Sequence, residues 1–415
     1  MKNQEKEIPF QEKNQSFWQL GLILSSGFGL VSTMAGGQVA KIYGVGTAKA
    51  SIFLGNFILW FIALAIISMT RKRAHAIQNI EDYLGKFSAS IATVIVAAAF
   101  VIWYALQIKI PAQVPIALIQ KFIGVGNVHE LKIGAAIGSI CALLSIGGIK
   151  TIKWINIISF PILIISLIML ILNMDHVTFF EIPWEFSFSA TLLIILTWLP
   201  GTINLSTFFR HSRSRSDSIL GLTLMMIFHS LFQYCFVFLN ISDPTDFIGK
   251  GEIISNITCL SAIVAFIFFS FLCVNLLNIY WASVGLEVFF RHRQEAKGCV
   301  IIGLLGTVIY VFFQSSVAIA FLEGLGTACI VNLGVVLIIG HLVKVMVQHR
   351  ARNFDKPINA ICWFISCFAS IIFLSLDPEN VIGAILIGIN ACILSFGAII
   401  FLEEIKWSIK NLGNR

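Results

Sequence analysis

Twelve stretches of this chain stay apolar over about 20 residues, the length a helix needs to cross a hydrocarbon core. They lie near 18–41, 47–70, 88–111, 131–149, 152–173, 187–209, 218–240, 255–289, 299–321, 325–347, 358–376 and 381–402. The runs are continuous rather than alternating, which excludes a β-barrel. Soluble domains carry about a quarter charged residues. This chain has 12% charged and 58% hydrophobic residues, too few charges to cover a water-soluble surface. The expected class is an all-α polytopic membrane protein with about twelve transmembrane helices, the eighth long enough to tilt or protrude.

The net charge of +7 does not point to nucleic acid. The basic residues sit in short loops between apolar runs, where they report orientation. With the N-terminus inside, the inner tails and loops hold most of the 28 Lys and Arg residues, among them Arg71, Lys72, Arg73, Arg213, Arg215, Arg291, Arg293, Arg350 and Arg352. Both termini are therefore expected in the cytoplasm, and a cytoplasmic (inner) membrane is the expected location. The nine cysteines form no CxxC or metal spacing and read as small packed hydrophobes. Residues 1–16 are polar and do not resemble a secretory signal.

Two runs look interrupted. Span 1 contains Gly27-Phe28-Gly29 and Gly36-Gly37, and span 6 contains Trp198-Leu199-Pro200-Gly201. Gly and Pro free backbone groups that, in a membrane, must be satisfied by protein, water or ligand. Each alone also fits simple packing or a kink. Spans 1 and 6 are five apart, where a five-plus-five inverted repeat places its paired broken helices around a midplane site. In span 3, Trp103 and Gln107 are four apart and share a face, suiting a flat heteroaromatic ligand as well as plain packing. In span 8, Asn275 and Asn278 share a face as well. They serve equally well as a polar site or as interhelical hydrogen-bonding residues.

These motifs together resemble the nucleobase–cation symporter family (type one), most nearly its cytosine permease or purine–cytosine permease branch, over roughly residues 17–350. Gly36-Gly37 and Gly55-Asn56 stand where that family has GG and GN, and Trp103-Tyr104 resembles its WFG segment. Thr207-Phe208-Phe209-Arg210 stands at its D-F-x-R position. Cys273 to Tyr280 is similar to T-T-N-x-x-x-L-Y, and Gly303 to Val308 to GIIGT. The resemblance implies a ten-helix inverted-repeat core of the amino acid/polyamine/organocation superfamily type over 17–350, with broken helices 1 and 6. It implies two peripheral helices over 351–404 between cytoplasmic tails 1–16 and 405–415. Trp103 and Trp198 would sandwich a planar base. Gln107, Asn275, Asn278 and Gly201 would line the same site. Backbone carbonyls near Ser25 and Phe28 would face Ser270, Cys273 and Val274 of span 8 at a cation site.

At the cation site Cys273 and Val274 replace the family's two hydroxyl residues. Neither offers the hard oxygen that such a cation prefers. Proton coupling would instead need an intramembrane titratable group, and His229, His341, Glu287 and Lys109 are the candidates. Arg210 is expected to anchor the inner boundary. The expected function is uptake of a nucleobase or related planar heterocycle by alternating access, coupled to Na⁺ or H⁺, with no organic cofactor and with the lipid bilayer as surroundings. A same-fold transporter of an amino acid or another amide is the nearest alternative. A channel or receptor differs further, and a membrane enzyme lacks any clustered motif here.

Overall fold

The computed structural model describes residues 15–70, 76–113, 129–174, 180–243, 246, 257–286, 295–313, 317–346, 356–378 and 380–412. Apart from one bridge between Gln15 and Ser212, the regular structure of these residues is helical. A helix satisfies its own backbone polar groups, as lipid demands. In chain order the helices are α1 (Phe17–Ser26), α2 (Gly29–Tyr43), α3 (Val45–Met69), α4 (Ala76–Leu84), α5 (Lys86–Gln107), α6 (Glu130–Leu144) and α7 (Ile149–Asn173). They continue as α8 (Phe188–Ile203), α9 (Ser206–Phe209), α10 (Arg215–Phe238), α11 (Ile257–Leu286), α12 (Glu295–Phe313), α13 (Val317–Met346), α14 (Lys356–Leu376) and α15 (Val381–Leu412).

Ten of these helical stretches are long and apolar enough to cross a membrane alone. The bent pair α1/α2 adds an eleventh span, and the shorter apolar stretch Lys297–Phe313 stands at the ninth expected position. The expected end of span 9 at residue 321 is corrected. Its helix stops at Phe313, ahead of the polar run Gln314, Ser315 and Ser316, and residues 317–321 open the 30-residue α13. Helix α11 also has 30 residues. At 1.5 Å per residue it exceeds a hydrocarbon core of about 30 Å and must tilt or protrude.

The two expected interruptions differ in kind. Span 1 breaks at Gly27 and Phe28, where α1 and α2 meet at 70°. Gly29 takes φ +70°, a left-handed conformation that favours glycine, and a Cβ there would lie 3.0 Å from Val274. In span 6 the helix runs through Pro200 and Gly201 and breaks later, at Asn204 and Leu205. Side chains make this displacement workable: Thr202 Oγ1 donates to the Trp198 carbonyl at 3.1 Å, and Asn204 Nδ2 to the Pro200 carbonyl at 3.0 Å.

The described helices fall into two compact units. One comprises α1–α3, the end of α5 from Phe100, and α6–α12. Its core joins Leu30 and Met34 of α2, Phe160 and Leu163 of α7, Phe232 and Phe236 of α10, and Ile263 and Phe266 of α11. A second cluster packs α2, α3, α8 and α10 through Val39, Ile52, Ile194 and Val237. The other unit comprises α4, the start of α5, and α13–α15. There Trp363 Nε1 donates to the Cys329 carbonyl at 3.3 Å, and Asn332 Nδ2 to Ser370 Oγ at 3.1 Å.

The double glycine has a packing role. A Cβ on Gly36 would meet the Gln233 carbonyl at 2.6 Å, and one on Gly37 would run into the backbone of Ile241. That loop is closed by Asp246, whose Oδ2 accepts from the Ser242 amide (2.7 Å), the Ser242 hydroxyl (2.8 Å) and the Asp243 amide (2.9 Å). Burial raises the Asp246 pKa, but these donors and Lys41 outweigh it and hold the carboxyl below its usual value. Its contribution is therefore fully present above the ordinary value of 3.8 and is lost as pH falls through the lowered one. Gly37→Val sets a side chain against a backbone that no rotamer relieves. It is expected to cost about 1–3 kcal/mol, read as a lower melting temperature in detergent. Gly298→Ala, where an added Cβ meets nothing within 4 Å, should leave the melting temperature unchanged.

Candidate functional site

All the expected substrate and cation residues lie in the first unit. At the α1/α2 break the freed backbone is partly spoken for. Asn156 Nδ2 of α7 and Ser26 Oγ both donate to the Ile23 carbonyl (3.0 and 2.9 Å), and the Gly27 amide donates to the Leu24 carbonyl at 3.1 Å. On the α2 side Thr33 Oγ1 donates to the Leu30 carbonyl at 2.8 Å, and Ser32 Oγ donates to the Phe28 carbonyl. Ser25 is fully buried and donates to the Gly21 carbonyl at 2.6 Å.

The Phe28 ring stands out from this break into an aromatic cluster. It stacks on His229 of α10 at 4.0 Å with 10° between planes, and meets Trp198 of α8 edge-on at 4.9 Å. Trp198 and His229 are 5.8 Å apart. A Cβ on Gly201 would lie 3.3 Å from the Trp198 indole, so the glycine leaves room for that ring to lie along its own helix.

A second group gathers the expected amides. Asn278 Nδ2 of α11 donates to Gln107 Oε1 of α5 and to Asn275 Oδ1, both at 3.4 Å, and Asn275 Nδ2 donates to the Phe271 carbonyl at 3.0 Å. Asn275 and Asn278 are buried and Gln107 is half-buried. Gln107 Nε2 and Asn278 Oδ1 make no hydrogen bond with a described residue, and neither is sealed off. One donor and one acceptor thus remain on this strip, a pattern complementary to the edge of a cyclic amide. Trp103, four residues before Gln107, meets Phe100 edge-on at 4.9 Å, and Phe100 packs on Trp281 at 4.8 Å. Each expected tryptophan therefore packs in its own cluster, and among the described residues no ring contact joins Trp103 to Trp198.

On the cation side, Ser26 and Ser159 hydroxyls lie against the Cys273 thiol. Val274 packs under Gly29, and Ser270 is buried. Helix α11 thus presents one hydroxyl, one thiol and one isopropyl group here. The Phe28 carbonyl, expected as a ligand, already accepts from Ser32. Of these three α11 side chains Ser270 alone offers the oxygen that a sodium ion takes, as other hard cations do, so this helix's share of such a site is poor.

Of the titratable candidates, His229 lies in the aromatic cluster. His341 lies in the second unit, where Nδ1 is 2.8 Å from the Tyr83 hydroxyl, and Lys109 is exposed. Glu287 falls outside the described residues. Arg210 does not end in the open. It is buried, with Nη2 donating to the Tyr280 hydroxyl at 3.2 Å and Nε to His211 at 3.3 Å. Sequence reasoning missed the Phe28 ring, which had entered only through its carbonyl. It also missed Gln233, whose Nε2 donates to the Ser32 carbonyl at 3.0 Å and whose Oε1 accepts from Asn56 Nδ2 at 2.7 Å. The spacing of His229 and Gln233, four apart on one helix face, was the available signal.

No family model and no curated protein sequence matches the chain. Solved structures do. One is Mhp1, a nucleobase-cation-symport-1 family transporter in a closed conformation with bromovinylhydantoin bound, at TM-score 0.66 and 14% identity over 95% of this chain and 94% of that one. Another is a Na⁺-coupled sialic acid symporter in a substrate-bound outward-open state, at TM-score 0.66 and 14% identity over 93% and 89%. A third is MhsT in complex with L-phenylalanine, at TM-score 0.59 and 14% identity over 91% and 98%. The fold is thus that of the LeuT-type membrane transporters, a five-plus-five inverted repeat with broken helices. Fold and substrate are separate matters, since one architecture hosts many ligands.

Proposed function

We propose that the chain is a secondary transporter that imports a small neutral planar heterocycle, nucleobase-like, by alternating access around the α1/α2 break and coupled to a cation gradient. The observation that carries this reading is the Gln107–Asn278–Asn275 strip, with an unused donor and acceptor, in the same unit as Trp103 and the Trp198–Phe28 cluster. Indoles stack on flat rings, and the amides read a polar edge. The two tryptophans favour a planar ring over an amino acid, whose carboxylate would be held by half-helix amides rather than by charged side chains. Because α11 offers a sodium ion few oxygens, H⁺ stands beside Na⁺ as the coupling ion. A cytoplasmic membrane with both termini inside, and no catalysis, belong to the same reading.

Uptake into proteoliposomes tests it. Radiolabelled cytosine, hypoxanthine or hydantoin should accumulate above equilibrium under an inward cation gradient, and an ionophore should abolish that accumulation. Trp103→Ala and Asn275→Ala should each lower uptake by about 10- to 100-fold. Uptake unchanged in both variants would refute the site. Equilibration without accumulation would favour a channel, and uptake of phenylalanine alone would favour the amino-acid alternative.

A further inference from the structure

Among the described residues, two aromatic side chains are sealed from solvent with every polar atom unbonded: His229 and Trp281. His229 is 0% exposed, and neither ring nitrogen has a hydrogen-bond partner. Buried polar groups are nearly always bonded, and an exception calls for an explanation. The next turn of the same helix face obeys the rule, since Gln233 bonds both Ser32 and Asn56. The Ser32 carbonyl faces His229 as well, and beside the bond from Gln233 its second lone pair is open to one ring N–H, so one ring nitrogen is left with no partner in reach.

The surroundings make the imidazole a reader of shape and polarity rather than of charge. Helices α1, α7 and α8 carry no acidic residue, and α1 and α8 carry no ionisable group at all. On α2, Lys41 faces Asp246, and on α3, Lys49 bonds the Ile182 carbonyl. Lys150 and Lys153 stand in the first two turns of α7, ahead of Phe160, which packs on Phe228. On α10 itself, Asp217 is held by Ser214, and Tyr234 donates to the Lys49 carbonyl. A neutral imidazole offers one donor and one acceptor on its ring edge. Phe28 covers one of its faces, the ring edge is closed off in this conformation, and Trp198 is 5.8 Å away.

We propose that His229 is a substrate-reading residue: its ring edge hydrogen-bonds an in-plane polar edge of a heterocycle lying on Trp198, while the Gln107–Asn278–Asn275 strip reads a second edge. This rests on the planar-heterocycle reading above and narrows it. The substrate must be flat and uncharged and must carry two hydrogen-bonding edges, as oxopurines, pyrimidinones and hydantoins do. A flat ring with one polar edge is a poor ligand.

The test uses the purified full chain in detergent with cytosine, uracil, hypoxanthine and hydantoin as probes. Equilibrium binding and melting temperature are read for the wild type, His229→Phe, His229→Gln and Asn275→Ala. Phe keeps a flat ring on Phe28 and removes both nitrogens. It should weaken binding of the best probe by about 10- to 100-fold, with an unliganded melting temperature equal to or above that of the wild type. Gln restores an N–H and a C=O and should recover part of the affinity. If Phe binds as tightly as the wild type while Asn275→Ala does not, His229 is packing and only this inference falls. A lower unliganded melting temperature in both His229 variants would likewise make it a core residue and overturn the inference. If no probe binds the wild type, the heterocycle reading itself fails and takes this inference with it.

Discussion

Asn278→Asp is expected to bind its heterocycle about 100-fold or more weakly than the wild type while the protein stays folded. The substitution preserves size and changes one nitrogen to an oxygen. In the wild type that nitrogen donates to both Gln107 Oε1 and Asn275 Oδ1. An aspartate places an acceptor against two acceptors, so both bonds are lost and their oxygens are left unpaired. An unsatisfied buried polar group costs about 1–3 kcal/mol, and more where a charge is involved. A charge near Trp103 also disfavours a neutral ligand that brings no counter-ion. Asn278→Leu provides the contrast. It loses the same two bonds without adding charge, so it should lie between the wild type and Asp in affinity.

The strip links α5 to α11, so the experiment also separates a site from a mere helix fastening. A fastening role predicts that both variants lower the melting temperature together and that the folded fraction binds normally. A site predicts that the folded fraction binds weakly, beyond what any change in melting temperature accounts for. Interaction with Asn275→Ala should be strongly non-additive, because the two carboxamides share one hydrogen bond. Independent effects in the double variant would mean that the two residues do not act as one reading surface.

The fold was legible because its signals are long and redundant. Twenty apolar residues in a row leave little choice in lipid, and Gly27 to Gly29 mark a break that the 70° bend bears out. What the sequence misplaced depends on a few side chains. Pro200 and Gly201 look like a break, yet Thr202 and Asn204 donate back to carbonyls of the preceding turn and carry the helix on to Ile203. Span 9 looked longer than it is because an apolar count passes over a short polar run such as 314–316. At the candidate site, Gln107, Asn275 and Asn278 were legible through helical spacing, and the structure brings them together. The Phe28 ring was not, because its role comes from contacts with elements remote in sequence. No spacing rule relates residue 28 to residue 229.

Cys273 and Val274 allow the converse experiment, in which a response is added rather than removed. The wild type is expected to show no stabilisation by sodium over potassium at fixed pH and ionic strength, and its transport should survive replacement of Na⁺ by K⁺. Cys273→Ser combined with Val274→Thr exchanges each side chain for one of nearly the same shape and puts two hydroxyls on α11. Thr is close to isosteric with Val, so the close approach of Val274 to Gly29 should tolerate it. Ser at 273 would join the hydroxyls of Ser26 and Ser159 that already lie against that position. Ser270 contributes a further oxygen one turn away. If this completes a sodium site of about 1 mM affinity, 100 mM Na⁺ stabilises the folded protein by about 2.7 kcal/mol, a clear rise in melting temperature. Sodium stabilisation of the unmodified protein would show instead that backbone carbonyls at the α1/α2 break suffice for the ion. Failure of the double variant to gain any response, with its melting temperature unchanged, would show that the break holds no cation position facing α11.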